Sequence, residues 1–217
     1  MDTKKYKGCI VVQGPTNPNV LPKIKECWTG YQLIFSTWEG SHPELYDSDD
    51  IVVWNKFTDF SGTSNLNRQK ITTWNGMALA EKMGWDWALK WRSDMWCYGA
   101  DLIWHAMDKD SFNILSWNTE SGGYIQDYIM GGKPSEVISL FDTELEGPFA
   151  EFMLTRKLYE SDLHKKTKCF GRVLNDRFCD IGWWKKNIGG HDLWLSTYNG
   201  HPHFKFEIPD EKIYVAI

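Results

Sequence analysis

Asn65-Leu66-Asn67-Arg68-Gln69-Lys70-Ile71-Thr72-Thr73-Trp74-Asn75-Gly76-Met77-Ala78-Leu79-Ala80-Glu81-Lys82-Met83-Gly84, followed closely by Trp87-Ala88-Leu89-Lys90-Trp91-Arg92-Ser93-Asp94, is the stretch that decides the fold. Ile71, Trp74, Met77, Ala78 and Leu79 recur at roughly helical spacing, which predicts a helix over 65–83 with Gly84 placed to end it. The short run Trp87 to Trp91 reads as a strand, so Arg92-Ser93-Asp94 falls where a strand gives way to a loop. In open α/β sheets, ligands bind at the carboxyl ends of the strands.

Working outward, Gly8-Cys9-Ile10-Val11-Val12-Gln13 is a β-branched apolar run closed by Gly14-Pro15, as in a buried first strand followed by a turn. Val20 to Trp28 has the apolar spacing of a short helix, and Tyr31–Ser36 and Asp50–Trp54 read as the next two strands. Strands that alternate with helices in this order predict an α/β fold with a mostly parallel sheet flanked by helices, Rossmann-like in its winding. Further on, the pattern predicts a helix over Gly99–Met107, a strand over Phe112–Trp117 and a strand over Ile125–Met130 that ends at Gly131-Gly132. Helices follow at Pro134–Phe141 and Pro148–Glu160, the latter with Phe149, Phe152, Met153 and Leu158 on its buried face. The chain from Asp176 onward, rich in Trp, Gly and His, carries no assignment.

The 217 residues contain no Ser/Gly/Pro-rich or charge-blocked linker, so a single domain over 1–217 is expected. A net charge of -5 with scattered Lys and Arg leaves no electrostatic footprint for nucleic acid or an anionic membrane. No apolar run reaches the roughly 18 residues of a membrane-spanning helix, and the N-terminal Met1-Asp2-Thr3-Lys4-Lys5-Tyr6-Lys7 leads into too short an apolar segment for a signal peptide. A cytoplasmic protein without an integral membrane segment is the expectation. Cys9, Cys27, Cys97, Cys169 and Cys179 are odd in number and lack a C-x-x-C pair, which points to reduced, packed thiols. Most of the 13 tryptophans are expected in the core, with a few lining a cleft where a ring face suits a sugar.

Several residues have the chemistry to hold a diphosphate and to move a proton. Asp94 is a candidate ligand for Mn²⁺ or Mg²⁺, since hard cations take carboxylate and phosphate oxygens. Its alternative role is to cap the next helix. Arg68 and Arg92 can each grip two phosphate oxygens, or form surface salt bridges. Asn65, Asn67 and Gln69 sit beside Arg68 at a helix start, where N–H groups favour an anion, although either asparagine would also serve as an N-cap. Asp127, within Tyr124-Ile125-Gln126-Asp127-Tyr128-Ile129-Met130, is a charge among apolar residues that asks for a partner or a role. Glu151 lies near a helix start, where the dipole favours the ionised carboxylate, so burial or a neighbouring negative charge must oppose that before it serves as a base. His201 and His203, beside Lys205, are a further candidate pair for a metal or phosphate, with a solvated loop as the alternative.

Val11-Val12-Gln13-Gly14-Pro15, Ile34-Phe35-Ser36-Thr37-Trp38-Glu39-Gly40, Asn65-Leu66-Asn67-Arg68-Gln69 and Leu89-Lys90-Trp91-Arg92-Ser93-Asp94 occur in the order and near the spacing of the WavE-like lipopolysaccharide-synthesis family. The chain resembles a small GT-A-type glycosyltransferase over about its first hundred residues, and in short patches at Gln126-Asp127-Tyr128 and Pro148-Phe149-Ala150-Glu151. The resemblance implies a nucleotide-sugar donor bound along Gln13-Gly14-Pro15 and Asn67-Arg68-Gln69. It puts Arg92-Ser93-Asp94 in place of the family's D-x-D-like metal motif, with Arg92 where the first carboxylate would stand. On this reading residues 1–98 form the nucleotide-sugar-binding half and 99–217 the acceptor half. The reaction expected on this reading is transfer of a hexose or deoxyhexose from a UDP-linked donor to a glycan hydroxyl, with Asp94, a metal and the arginines on the diphosphate and Glu151 or Asp127 as base. A Trp-rich, non-catalytic carbohydrate-binding module accounts for the tryptophans and leaves the Arg68 and Asp94 clusters unexplained. A sugar nucleotidyltransferase calls for a glycine-rich, basic loop after the first strand, which Gln13-Gly14-Pro15-Thr16-Asn17-Pro18 is not. A glycoside hydrolase needs two carboxylates, which Asp127 and Glu151 would supply.

Overall fold

In the computed structural model, strand β1 (Gly8–Gln13) leads through helix α1 (Leu21–Cys27) to β2 (Gln32–Trp38) and β3 (Ile51–Asn55). Helix α2 (Leu66–Lys82) then returns the chain to β4 (Trp87–Arg92), which is followed at once by β5 (Met95–Trp96). Next come α3 (Ala100–Ala106), β6 (Phe112–Ile114), β7 (Trp117–Asn118), β8 (Tyr124–Ile125) and β9 (Ile129–Gly132). Helices α4 (Pro134–Phe141) and α5 (Ala150–Glu160) precede β10 (Thr167–Cys169), β11 (Arg172–Leu174), β12 (His191–Thr197) and β13 (Pro202–Ile208). The structure describes residues 8–97, 100–114, 117–118, 124–125, 127–169, 172–174, 191–197 and 202–208, of which 102, 117–118, 124, 169, 172–174, 191–197 and 202–208 are described by backbone alone.

Seven strands form one sheet in the order β10-β6-β9-β4-β1-β2-β3, so both halves of the chain build the same layer. Strands β1, β2, β3 and β4 are parallel, as are β6 and β10, and β9 alone runs against its neighbours β4 and β6. The sheet is α/β and mostly parallel, as the alternation of elements predicts. Its central strands are buried on both faces, which is why β1 reads as an unbroken apolar run rather than an alternating one. Successive side chains of β1 feed opposite sides: Ile10 and Val12 join α1 and α3 in one core, while Cys9 and Val11 join α2, α4 and α5 in the other. Trp28, Trp87, Trp91 and Trp96 belong to the first core, and burial pushes the thiols of Cys9 and Cys97 up to about 12.

Several expectations are corrected. The single strand expected over Ile125–Met130 is broken: β8 ends at Ile125, the chain bends at Asp127–Tyr128, and β9 begins at Ile129. Gly131-Gly132 do close the strand as expected, β9 ending at Gly132, and neighbouring rings occupy the space a side chain would need there. A Cβ at Gly131 would lie 2.4 Å from the Trp87 ring, and one at Gly132 would lie 2.8 Å from Phe112. The strand expected over Phe112–Trp117 stops at Ile114, and Trp117 belongs instead to a two-stranded β7–β8 sheet. With Ile71 and Trp74 only partly buried, the buried face of α2 is Leu66, Thr72, Thr73, Gly76, Met77 and Ala80. These mostly small residues let the helix axis come close to β1 and β2. In α5 the buried face is Ala150, Met153, Leu154, Thr155 and Leu158, while Phe149 and Phe152 stay partly exposed and pack edge to face at 5.9 Å. The unassigned tail supplies β12 and β13 of a four-stranded sheet, order β11-β13-β12-β5, in which Thr197 and Ser196 pair with Met95 and Trp96 just after Asp94.

Candidate functional site

Parallel strands β1 and β4 lie side by side, with Gln13 opposite Arg92. From this pair the sheet grows through β2 and β3 on one side and through β9, β6 and β10 on the other, so the loops leaving their carboxyl ends open a crevice. A cleft of about 570 Å³ occupies that place, within the range of small-molecule sites. Its lining brings together Gln13, Gly14, Pro15, Asn65, Arg68, Gln69, Arg92, Ser93, Asp94, Asp127 and Glu151; of the sequence-predicted site residues whose side chains are described, Asn67 alone is not part of it.

Strand direction explains the gathering. The helix after β3 runs back against the strands, so the start of α2 with Arg68 and Gln69 comes to the carboxyl edge. Because β9 is antiparallel, Ile129 pairs with Trp91 near the end of β4, and the Asp127 bend that precedes it reaches the same edge. Glu151 arrives from the first turn of α5.

The floor is sewn by hydrogen bonds. Ser93 N donates to Gln13 O at 2.9 Å, Ser93 Oγ donates to Pro15 O at 2.8 Å, and Gly14 N donates to Ser36 O at 3.0 Å. Gln13 is buried and its Oε1 accepts from Thr72 Oγ1 at 2.8 Å, which ties β1 to α2. Asn67 faces away from the cleft: its Nδ2 donates to Phe60 O at 2.7 Å and its backbone N donates to Ser61 O, fastening the loop before α2. Asn65 holds the N-cap position of α2 in a left-handed conformation, with no side-chain capping bond.

Charge is concentrated at one wall. Arg92 grips Asp94 with two bonds, Nε to Oδ1 at 3.0 Å and Nη2 to Oδ2 at 2.7 Å, and its Nη1 lies 3.6 Å from Asp127 Oδ1. Burial works against the Arg92 charge, but the Asp94 bonds and the Asp127 carboxylate more than offset it and hold its pKa above the ordinary arginine value. Asp94 is not a helix cap, since β5 intervenes before α3 begins at Ala100. Asp127 is 2% exposed, and among the described residues its Oδ1 accepts no hydrogen bond. Glu151 is partly buried, and desolvation first, then the Asp127 charge, raise its pKa above the usual glutamate value. The opposing dipole effect at a helix start is therefore outweighed, which is the condition for Glu151 to serve as a base.

At the other end Trp38 and Phe57 meet edge to face at 5.5 Å, with the Arg68 guanidinium 4.5 Å above the Phe57 ring. Arg68 is aimed by Nε to Thr58 O at 3.3 Å and Nη1 to Asn65 Oδ1 at 3.4 Å. Phe57 is 57% exposed, so the rings offer an apolar face at the cleft mouth.

Sequence reasoning assigns no role to Trp38, Phe57, Thr72 or Lys90. Lys90 is fully buried in β4 and donates from Nζ to the carbonyl of Asp127, and desolvation pushes its pKa down to about 8. A lysine inside an otherwise apolar strand is the signal that could have found it. His201 lies outside the described residues, and so does the side chain of His203, whose backbone belongs to β13. Among the described residues, no three His, Cys, Asp or Glu side chains come together as a metal-holding group. No helix among them is long and apolar enough to cross a membrane. Compared with known proteins, the chain matches no family model and no curated protein at a significant level.

Proposed function

We propose that the chain is a GT-A-type glycosyltransferase that moves a hexose or deoxyhexose from a nucleoside-diphosphate donor, UDP-linked, to a hydroxyl of a glycan in the cytoplasm. The observation that carries this reading is the convergence of Arg68 and Arg92 with Glu151 and buried Asp127 in one cleft at the carboxyl ends of β1 and β4. Cleavage of the sugar–phosphate bond leaves a diphosphate whose charge must be stabilised as it develops, and planar guanidinium groups suit its paired oxygens. The Trp38–Phe57 rings supply a surface for a nucleobase or a sugar face. Glu151, with its raised proton affinity, takes the proton of the acceptor hydroxyl as the new bond forms. Asp127 keeps that affinity high.

Mn²⁺ or Mg²⁺ fits the donor set in one form. Magnesium-like ions are commonly held by one or two carboxylates plus substrate phosphates rather than by an all-protein cage. Asp94 would hold the ion, which would add positive charge on the departing diphosphate. Both oxygens of Asp94 bond Arg92, so the carboxylate would be free to hold the ion only where a diphosphate took its place on the guanidinium.

Titration calorimetry with UDP, GDP and CDP, with and without Mn²⁺, tests the reading on the wild type, Asp94→Ala and Arg92→Met. Binding of UDP that Mn²⁺ strengthens in the wild type and not in Asp94→Ala is the expected result. No binding of any nucleotide, together with binding of free glycans, overturns it in favour of a carbohydrate-binding module. Cleavage of an aryl glycoside without nucleotide overturns it in favour of a hydrolase.

A further inference from the structure

Lys90 lies behind the cleft wall, in the middle of β4, between Val11 of β1 and Met130 of β9. It has no solvent exposure. An ammonium in such a place is costly unless opposite charge and hydrogen bonds compensate it, and packing alone would favour an aliphatic residue there. The compensation comes from the site. Its Nζ donates to the carbonyl of Asp127, at the bend that joins β8 to β9. Of the groups acting on its charge, the Asp127 carboxylate is the strongest, followed by Arg92 and Asp94 at the end of its own strand and Glu151 on α5. Helix α4 presents the ring face of Phe141, 5.2 Å from Nζ. Asp127 is thus bracketed by two cations, Arg92 at the cleft and Lys90 beneath it.

We propose that Lys90 is a positioning residue for the acid pair: it pins the Asp127 bend by its carbonyl and sets a buried positive charge behind the Asp127 and Glu151 carboxylates. Asp127 and burial push protons onto Glu151, whereas Arg92 and Lys90 oppose them. Without Lys90 one of the two opposing cations is gone, and the proton affinity of Glu151 rises further. The assignment of Glu151 as base rests on the transferase reading, but the charge coupling does not.

The test is a ¹³C-carboxyl NMR titration of Glu151 on the full chain, for the wild type and Lys90→Met, which keeps the length of the side chain and removes its charge. The titration midpoint is expected at higher pH in Lys90→Met. An unchanged midpoint in a folded variant overturns the proposal, since a purely structural lysine would leave it in place. Should Lys90→Met fail to fold, Lys90→Gln takes its place, since it also removes the charge but keeps a donor; a Glu151 midpoint at higher pH supports the proposal, and an unchanged midpoint overturns it. UDP calorimetry on the same samples separates the two ideas: absence of nucleotide binding in the wild type removes the transferase reading and leaves the Glu151 result to stand by itself.

Discussion

Replacing Gly76 with alanine pits helix propensity against packing at one atom. Glycine to alanine in a helix interior stabilises by about 1 kcal/mol through propensity alone. Against this, the new Cβ would lie 2.5 Å from Val11 Cγ1 and 3.0 Å from Ser36 Cβ, with Val11 fully buried in β1. Val11 is β-branched and cannot rotate away without leaving its rotamer, so α2 must lift from the sheet. Overpacking of this kind costs about 1–3 kcal/mol, and the short contact with a rigid partner puts Gly76→Ala at the upper end. The net loss is therefore about 2 kcal/mol, which for a chain of this length lowers Tm by about 4–8 °C. Urea denaturation and a thermal scan read the loss directly. Because α2 carries Thr72, whose Oγ1 bonds Gln13 Oε1 at 2.8 Å, the lift also disturbs the cleft floor. The double variant Val11→Ala/Gly76→Ala should recover about 1 kcal/mol relative to the sum of the singles, since the second substitution empties the space the first one needs. A Tm for Gly76→Ala equal to or above that of the wild type would refute the close-packed α2–β1 contact.

Glu151 holds its proton more tightly folded than unfolded, so its contribution to stability is present below the ordinary glutamate pKa and is lost as pH rises through the raised value; urea midpoints measured between about pH 4 and 7 should fall less steeply in Glu151→Gln, and an identical slope would contradict the assignment. Thr63 latches the loop before α2 to the segment before α5, with Oγ1 donating to Gly147 O at 2.9 Å and accepting from Gly147 N at 3.0 Å. Thr63→Val removes both bonds in an exposed setting and should cost about 1 kcal/mol, a Tm drop of about 2–4 °C that Thr63→Ser does not show.

Elements set by local chemistry are legible in the amino-acid order itself. The β-branched run closed by Gly14-Pro15 gives β1, Pro134 at a first helical position gives α4, and the Asn65–Gly84 stretch gives α2 within a residue or two at each end. Local rules fail where a neighbour distant in sequence sets the terms. Asp127 reads as a strand residue and is a bend, where its carboxylate reaches Arg92 and its carbonyl meets Lys90. Apolar spacing marks α2 as a helix but not its contact face, since a helix that approaches a sheet closely does so through small side chains.

The sequence by itself determined the α/β class, the order of most elements and the polar residues that meet in the cleft, though not its Trp38–Phe57 rings, since hydrophobic period and turn chemistry act over a few neighbouring positions. Only the tertiary structure decided how those residues relate. The antiparallel course of β9 brings Asp127 to the end of β4, Arg92 commits its guanidinium to Asp94, and burial beside Asp127 raises the proton affinity of Glu151. Charge and proton affinity depend on distances and solvent exclusion between segments far apart in the chain, and these exist only once the sheet has formed.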